Sequence, residues 1–181
     1  MDKFQEIKER FILHWGEMGA RWGINRTMAE VQALLFISAQ PLSADEIMNE
    51  LQISRGNVSM SLRELMNWGI VTKMHLKGER KEFFTTEKDV WALFKIILRE
   101  RKKREIDPTL EMLHSLLETL AEVEHADKEY LQRQITSLIE FVETGTNLYD
   151  YTSNLNPLNL MKLSRQTLQL AQKVAGPERS S

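Results

Sequence analysis

Cysteine does not occur among the 181 residues, so disulfides, thiolate zinc sites and thiol-based redox switching are all excluded. No apolar run approaches the ~18 residues needed to cross a bilayer, and residues 1–10 alternate charge without the apolar stretch of a secretory signal. A cytoplasmic protein with no membrane partner is therefore expected. Also missing are a Gly-x-x-x-x-Gly-Lys-Ser loop, a Gly-x-Ser-x-Gly elbow and a His-Glu-x-x-His helix. No nucleophile, base or cofactor site is left to name, which points away from an enzyme and from any cofactor. Nor is there an excess of one charge, the formal net charge being −2. What is present is a globular composition, 42% hydrophobic and 28% charged. The length suffices for one good-sized core, or for a small domain plus an oligomerisation element.

The most informative stretch runs from residue 43 to residue 86. Ser43-Ala44-Asp45-Glu46 has the Ser-x-x-Glu spacing in which hydroxyl and carboxylate cap a helix start reciprocally. Ile47, Met48 and Leu51 give that short helix one apolar face; Gln52-Ile53 interrupts it, and Ser54 is a second N-cap residue. From Arg55 to about Asn67, Val58, Leu62, Leu65 and Met66 recur at helical spacing and predict a core-facing side. The opposite side offers Arg55, Gly56, Asn57, Ser59, Met60 and Arg63, where a recognition helix presents its first turns to base edges. Gly56 costs ~1 kcal/mol of helix propensity, which suggests that close approach of another molecule outweighs it. Gly69 ends the helix. Residues 70–76 then alternate as a strand, Lys77-Gly78-Glu79-Arg80 supplies a turn, and residues 81–86 return: a hairpin wing.

Between Gln52 and Lys81 six cations (Arg55, Arg63, Lys73, Lys77, Arg80, Lys81) face two anions, Glu64 and Glu79. Local positive charge is what phosphate binding requires, because affinity comes largely from neutralised phosphates and released counterions. The plainer reading is a solvated helix and hairpin with charges placed for solubility. The ordered succession of cap, turn, second cap and wing favours DNA. Its expected contact residues are Ser54, Arg55, Gly56, Asn57, Ser59, Met60, Arg63, Lys73, His75, Lys77, Arg80 and Lys81.

The segment from Ile53 to Leu65, then Trp68-Gly69-Ile70-Val71, then Gly78-Glu79-Arg80-Lys81-Glu82-Phe83-Phe84 resembles the GbsR-like branch of the MarR-type winged helix-turn-helix regulators. The likeness extends over nearly the whole chain. It implies a dimeric transcription regulator, with some relatives repressing genes for choline and glycine betaine. Arg55, Asn57 and Ser59 match recognition-helix positions and Arg80 the wing-tip arginine; no ligand site carries over.

On either side of this reading head the chain is helical. Phe4, Ile7, Phe11, Trp15, Met18 and Trp22 form a seam at three- and four-residue steps, of the kind used between packed helices and here assigned to a dimer interface. Gly16 and Gly19 sit one turn apart; they allow another backbone close in or, more plainly, weaken the helix. Thr27-Met28-Ala29-Glu30 is read as a capping box starting a scaffold helix through Val31, Leu34, Leu35 and Ile37 that stops before Pro41. After the wing, Thr86-Glu87-Lys88-Asp89 is read as the cap of a helix whose Val90, Phe94, Ile97 and Leu98 face inward. Its basic end, residues 99–104, suits the helix macrodipole, worth ~0.3–1 kcal/mol, or reaches phosphate. Asp107-Pro108 reads as a fresh helix start. Leu110, Leu113, Leu117 and Leu120 follow, then a break near His125-Ala126-Asp127, then Leu131, Ile135, Leu138, Val142 and Tyr149. Asn156-Pro157 opens a last helix with Leu158, Met161, Leu168 and Leu170.

The expected architecture is thus mainly α with a small β-hairpin wing. Residues 1–26 form an N-terminal dimerisation helix, 27–89 the winged helix-turn-helix, 90–175 a helical dimerisation region and 176–181 a disordered tail. The expected partners are a second copy, near-palindromic double-stranded DNA and a small organic effector. A helical protein-interaction scaffold is the alternative. A metal-binding bundle is weaker, because Glu111/His114 and Glu122/His125 would lie roughly 16 Å apart along one helix at ~1.5 Å per residue. Trp15, Trp22, Trp68 and Trp91, with Phe94, Tyr130, Tyr149 and Tyr151, could in part line a pocket for a quaternary ammonium; helical spacing makes them core residues first.

Overall fold

The computed structural model describes residues 2–153 and 166–167. The last helix expected from Asn156-Pro157 and the tail at 176–181 lie outside the described residues, as do the side chains of Tyr149 and Tyr151. The contacts divide the chain into two units, Met1–Glu100 and Arg101–Ser181. The order is α1 (Lys3–Arg21), α2 (Arg26–Ile37), β1 (Leu42–Ser43), α3 (Ala44–Leu51), α4 (Arg55–Asn67), β2 (Val71–His75), β3 (Glu82–Thr86), α5 (Val90–Arg101), a π-helical stretch Lys102–Ile106, α6 (Asp107–Ala121) and α7 (Lys128–Ser153).

In the first unit α2 is the central helix, packing on α1, α3, α4 and β3. Val31, Ala33, Leu34 and Leu35 are essentially inaccessible. They meet Ile47 of α3, Val58, Leu62 and Leu65 of α4, and Ile70, Val71 and Phe84 of the sheet in one apolar cluster. The cap of α2 is Asn25, whose side chain accepts from the Met28 N–H at 3.1 Å. The expected box at Thr27 does not form, because Asn25 already satisfies the free amide and Glu30 pairs instead with Arg26 at 2.8 Å.

Most of the apolar seam of α1 is left uncovered within the chain. The buried residues of the helix are Ile12, Gly16 and Gly19, while Phe4, Ile7, Phe11 and Trp22 remain exposed. The glycines are there for close approach: a Cβ at Gly19 would lie 2.6 Å from Ala29 Cβ, and one at Gly16 would lie 2.5 Å from Glu30 Cγ. Gly19→Ala should therefore destabilise the fold although alanine is the better helix former. Overpacking costs of ~1–3 kcal/mol exceed a propensity gain of ~1 kcal/mol. Urea unfolding checks this, and a variant more stable than the parent would show that α1 moves aside freely.

The reciprocal cap at Ser43 forms: Ser43 N–H donates to Glu46 at 2.7 Å and Glu46 N–H to Ser43 Oγ at 3.4 Å. Gln52 takes φ 53° to end α3, and Ser54 Oγ accepts from the Asn57 N–H at 3.2 Å to start α4. Gly69, at φ +71°, lets the chain leave α4 through the left-handed region. The sheet has three strands, not two, in the order β1-β3-β2, both pairs antiparallel. Its exposed outer strand does not alternate as expected: Ile70 and Val71 are both buried, whereas Thr72 to His75 are exposed.

The base of the wing is fastened twice. Thr86 Oγ1 donates to the buried Ile70 carbonyl at 3.0 Å. Lys88 Nζ donates to the carbonyls of Leu35, Phe36 and Ser38 at 2.5, 3.0 and 2.7 Å, closing the C-terminus of α2 with a cation. Desolvation in this position holds the Lys88 ammonium below the usual lysine range. Helix α5 is capped by Asp89, whose carboxylate accepts from Ala92 N–H at 2.7 Å, since Thr86 is committed to the strand. Of its expected inward residues Val90 and Phe94 are exposed, Ile97 and Leu98 are half-buried, and Leu93 takes the buried place.

Helix α6 begins at Asp107 with Pro108 in its first turn, as the sequence predicts, but Asp107 does not cap it. Both Ile106 and Asp107 have helical dihedrals, and the Asp107 carboxylate accepts from Lys102 Nζ at 2.9 Å instead of capping. The π-helical widening at Lys102–Ile106 makes room for Pro108, which lacks an N–H and whose ring would press on a carbonyl one tight turn earlier. In the second unit α6 and α7 pack together, with Leu113 and Ile139 buried while Leu131 and Leu138 stay about half exposed. No described helix is long and apolar enough to cross a membrane.

Candidate nucleic-acid interface

The polar side of α4 divides into two grooves. One, about 490 Å³, runs between α4 and the sheet; Arg55, Ser59 and Arg63 line one wall at four-residue steps, Lys73 and Lys81 of the wing the other. The second, about 300 Å³, lies on the far side of α4 and holds Asn57 and Met60 with Asn25, Thr27, Ser61 and Glu64. Arg55 and Asn57 thus face different grooves despite being two residues apart, as a 3.6-residue helix requires.

Ser54 is occupied as a cap but keeps an exposed position. Gly56 is exposed, and a Cβ there would meet only Ser54 Oγ, at 3.9 Å. Packing within the chain therefore does not demand glycine at 56. His75, Lys77 and Arg80 lie exposed on the wing, outside both grooves. Gly78 has φ +89° at the turn, a conformation that favours glycine.

Two carboxylates enter the first groove that sequence reasoning did not place there. Asp45 accepts from Arg55 Nη2 at 2.7 Å through Oδ1, and its Oδ2 lies 3.5 Å from Lys81 Nζ. Glu82 accepts from Lys73 Nζ at 2.9 Å. The hydrogen bond from Arg55, then its charge, holds Asp45 below the ordinary carboxylate range, with Lys81 adding to it. Lys73 does the same for Glu82, chiefly by its hydrogen bond. Of the groove's four cations, Arg63 alone has no ion-pair partner among the described residues. In the sequence Asp45 is marked only as a residue in the first turn of a capped helix. Its link to Arg55, ten residues on, needs the geometry of the turn and has no local signature.

A small cavity of about 70 Å³ lies elsewhere in the first unit, lined by Trp15, Trp22 and Trp68 with Met18, Met28 and Gln32 among others. The Gln32 Nε2 is buried and has no hydrogen-bond partner. Trp91 and Phe94 do not line this cavity. In the second unit His114 Nε2 lies 3.5 Å from Glu143, and His125 Nδ1 lies 3.7 Å from Asp127. No group of three His, Asp or Glu side chains that could hold a metal ion occurs among the described residues.

Residues 22–81, which include α2, the two helices of the turn and the first strand and turn of the wing, match the MarR family. The HTH-type transcriptional repressor GbsR of Bacillus subtilis (strain 168) is 23% identical over 137 residues, 74% of this chain and 75% of that protein. The HTH-type transcriptional repressor OpcR of the same organism is 19% identical over 157 residues, 86% of this chain and 85% of its own length. A crystal structure of a transcriptional regulator has the same fold at a TM-score of 0.54 and 15% identity, covering 80% of this chain and 98% of the other. The winged helix-turn-helix is thus built on the segment that matches the MarR family, and the chain as a whole is similar, at low identity, to GbsR-type transcription regulators.

Proposed function

We propose that the chain works in the cytoplasm as a homodimeric repressor that reads a near-palindromic duplex and lets go of it on binding a small organic effector. The observation that carries the reading is the convergence of Arg55, Ser59 and Arg63 on α4 with Lys73 and Lys81 on the wing around one open groove. Such a groove offers hydrogen-bond donors to base edges and cations to the flanking phosphates. Asn57 and Met60 extend the reading face on the other side of the helix, while Lys77 and Arg80 on the wing hold the backbone or minor groove.

Exposed apolar side chains support a dimer. Phe4, Ile7 and Phe11 on α1, and Leu116, Tyr130, Leu131, Leu138 and Phe141 in the second unit, are open to solvent; large exposed apolar patches mark interaction surfaces. Residues 1–26 and 90–175 would supply the dimer layer and 27–89 the reading head. The repressing direction is supported by the names of GbsR and OpcR, and the choline and glycine betaine genes by the family resemblance. The tryptophan-lined cavity, with the orphan amide of Gln32 in its wall, is where an effector with an apolar body and one acceptor would be sought.

The test combines mass, capture and release. At micromolar concentration the purified chain should be a dimer, and from random duplexes it should select half-sites centred about 34 Å apart or a multiple of that. Choline or glycine betaine at millimolar concentration should lower DNA affinity ~5- to 150-fold and change tryptophan fluorescence. A monomer that captures no duplex at low salt would end this reading, and capture of a protein instead would favour the scaffold. Unchanged affinity on titration would remove these two effectors.

A further inference from the structure

We infer that Asp45 is a positioning residue for DNA recognition, holding Arg55 of the recognition helix and Lys81 of the wing on one carboxylate and thereby setting sequence specificity without touching a base. The inference rests on the DNA-reading function proposed above. Asp45 is well placed to anchor: it lies in the first turn of α3, next to the reciprocal Ser43–Glu46 cap that fixes the start of that helix. Its two oxygens serve different elements, Oδ1 the guanidinium of Arg55 at 2.7 Å and Oδ2 the ammonium of Lys81 at 3.5 Å.

Stability does not account for this arrangement. The Arg55 side chain is 78% exposed and that of Asp45 41%, and exposed ion pairs contribute little to folding. Their effect is geometric. A free arginine explores many rotamers, whereas one bonded through Nη2 enters the encounter with its remaining donors already directed outward, so less ordering is left for binding. Guanine, with N7 and O6 side by side in the major groove, is the base such a guanidinium reads.

The same carboxylate acts against indiscriminate binding. It engages two cations, offsetting one unit of positive charge that would otherwise be available for phosphates anywhere on a duplex, and it repels phosphates that come near. Asp45 therefore strengthens the correct complex through Arg55 and weakens incorrect ones through charge, which is how specificity is built from both attraction and repulsion.

The experiment uses the full chain and its D45N, R55A and D45N/R55A variants. Each is titrated with the selected duplex, with the same duplex changed at the guanine assigned to Arg55, and with a random duplex, between 50 and 200 mM salt. Thermal unfolding confirms that the variants fold. D45N should bind the random duplex more tightly, with a salt slope steeper by about 1 to 2 as the two released cations find phosphates. It should lose roughly 10-fold in discrimination against the changed guanine, about one bidentate contact's lower range. In the R55A background D45N should cost no further discrimination. A folded D45N with unchanged discrimination and slope, or one weakened equally on all duplexes, overturns the role of Asp45 while leaving DNA binding intact. A parent chain that selects no duplex overturns both.

Discussion

Leu34→Ala should lower the stability of the chain by ~2–5 kcal/mol, the cost of a large-to-small change at a site that cannot collapse. Leu34 has no accessible surface. It sits on the helix that packs against α1, α3, α4 and β3, so the neighbours that would have to close the cavity are each committed elsewhere. Since domains of this size are stable by only ~5–15 kcal/mol, much of the margin would go. Urea unfolding should show a lower midpoint with little change in slope. A loss under about 1 kcal/mol would mean that α2 is not the centre of the core. DNA affinity measured well below the new midpoint should change far less than stability, because Leu34 lines neither groove.

Asn57→Ala should do the reverse, costing ~1–3 kcal/mol in discrimination between duplexes, if its amide pairs bidentately with an adenine edge, and little in stability. Its backbone N–H is held by Ser54 Oγ, an interaction alanine keeps, while its side chain is exposed in the second groove. Lys77→Ala is the comparison. From the exposed wing tip it should weaken all duplexes about equally and reduce the salt slope by ~1. Competition binding with single-base variants at several salt concentrations separates the two. Equal loss of discrimination from both substitutions would show that base reading is not confined to α4.

The elements legible in the sequence were those whose signals are local. Ser43 with Glu46, and Ser54 before Val58 and Leu62, each encode a cap and a buried face within a few residues, and these helices lie where expected. The misread elements depend on something distant. That α1 meets α2 through Ile12, Gly16 and Gly19, leaving Phe4, Ile7 and Phe11 exposed, has no local signal, because glycines that permit backbone approach carry no hydropathic mark. Strand β1 is two residues long, too short for any periodicity. Asp107-Pro108 places the start of α6, but the cap it implies is replaced by helical backbone running on from the π-helical turn at Lys102–Ile106, which has no local mark. Of the reading groove, the cations were visible in the chain. The carboxylates that organise them were not: pairing across α3 and α4, or across the hairpin, is a property of the fold.

Lys88 gives the wing two different fates along its length. At the base its ammonium ties the chain to three carbonyls at the end of α2, and Thr86 ties β3 to Ile70. Residues there open only when the surrounding core does. At the tip the turn is closed by a single backbone bond, Glu79 N–H to the Leu76 carbonyl at 3.1 Å, and residues 77–81 are exposed. Local opening of such a tip costs little, and side chains there change without disturbing anything packed beneath them. Exposed side chains at the tip can accordingly be exchanged at almost no risk to folding, whereas a change at the base is felt by the core beneath it.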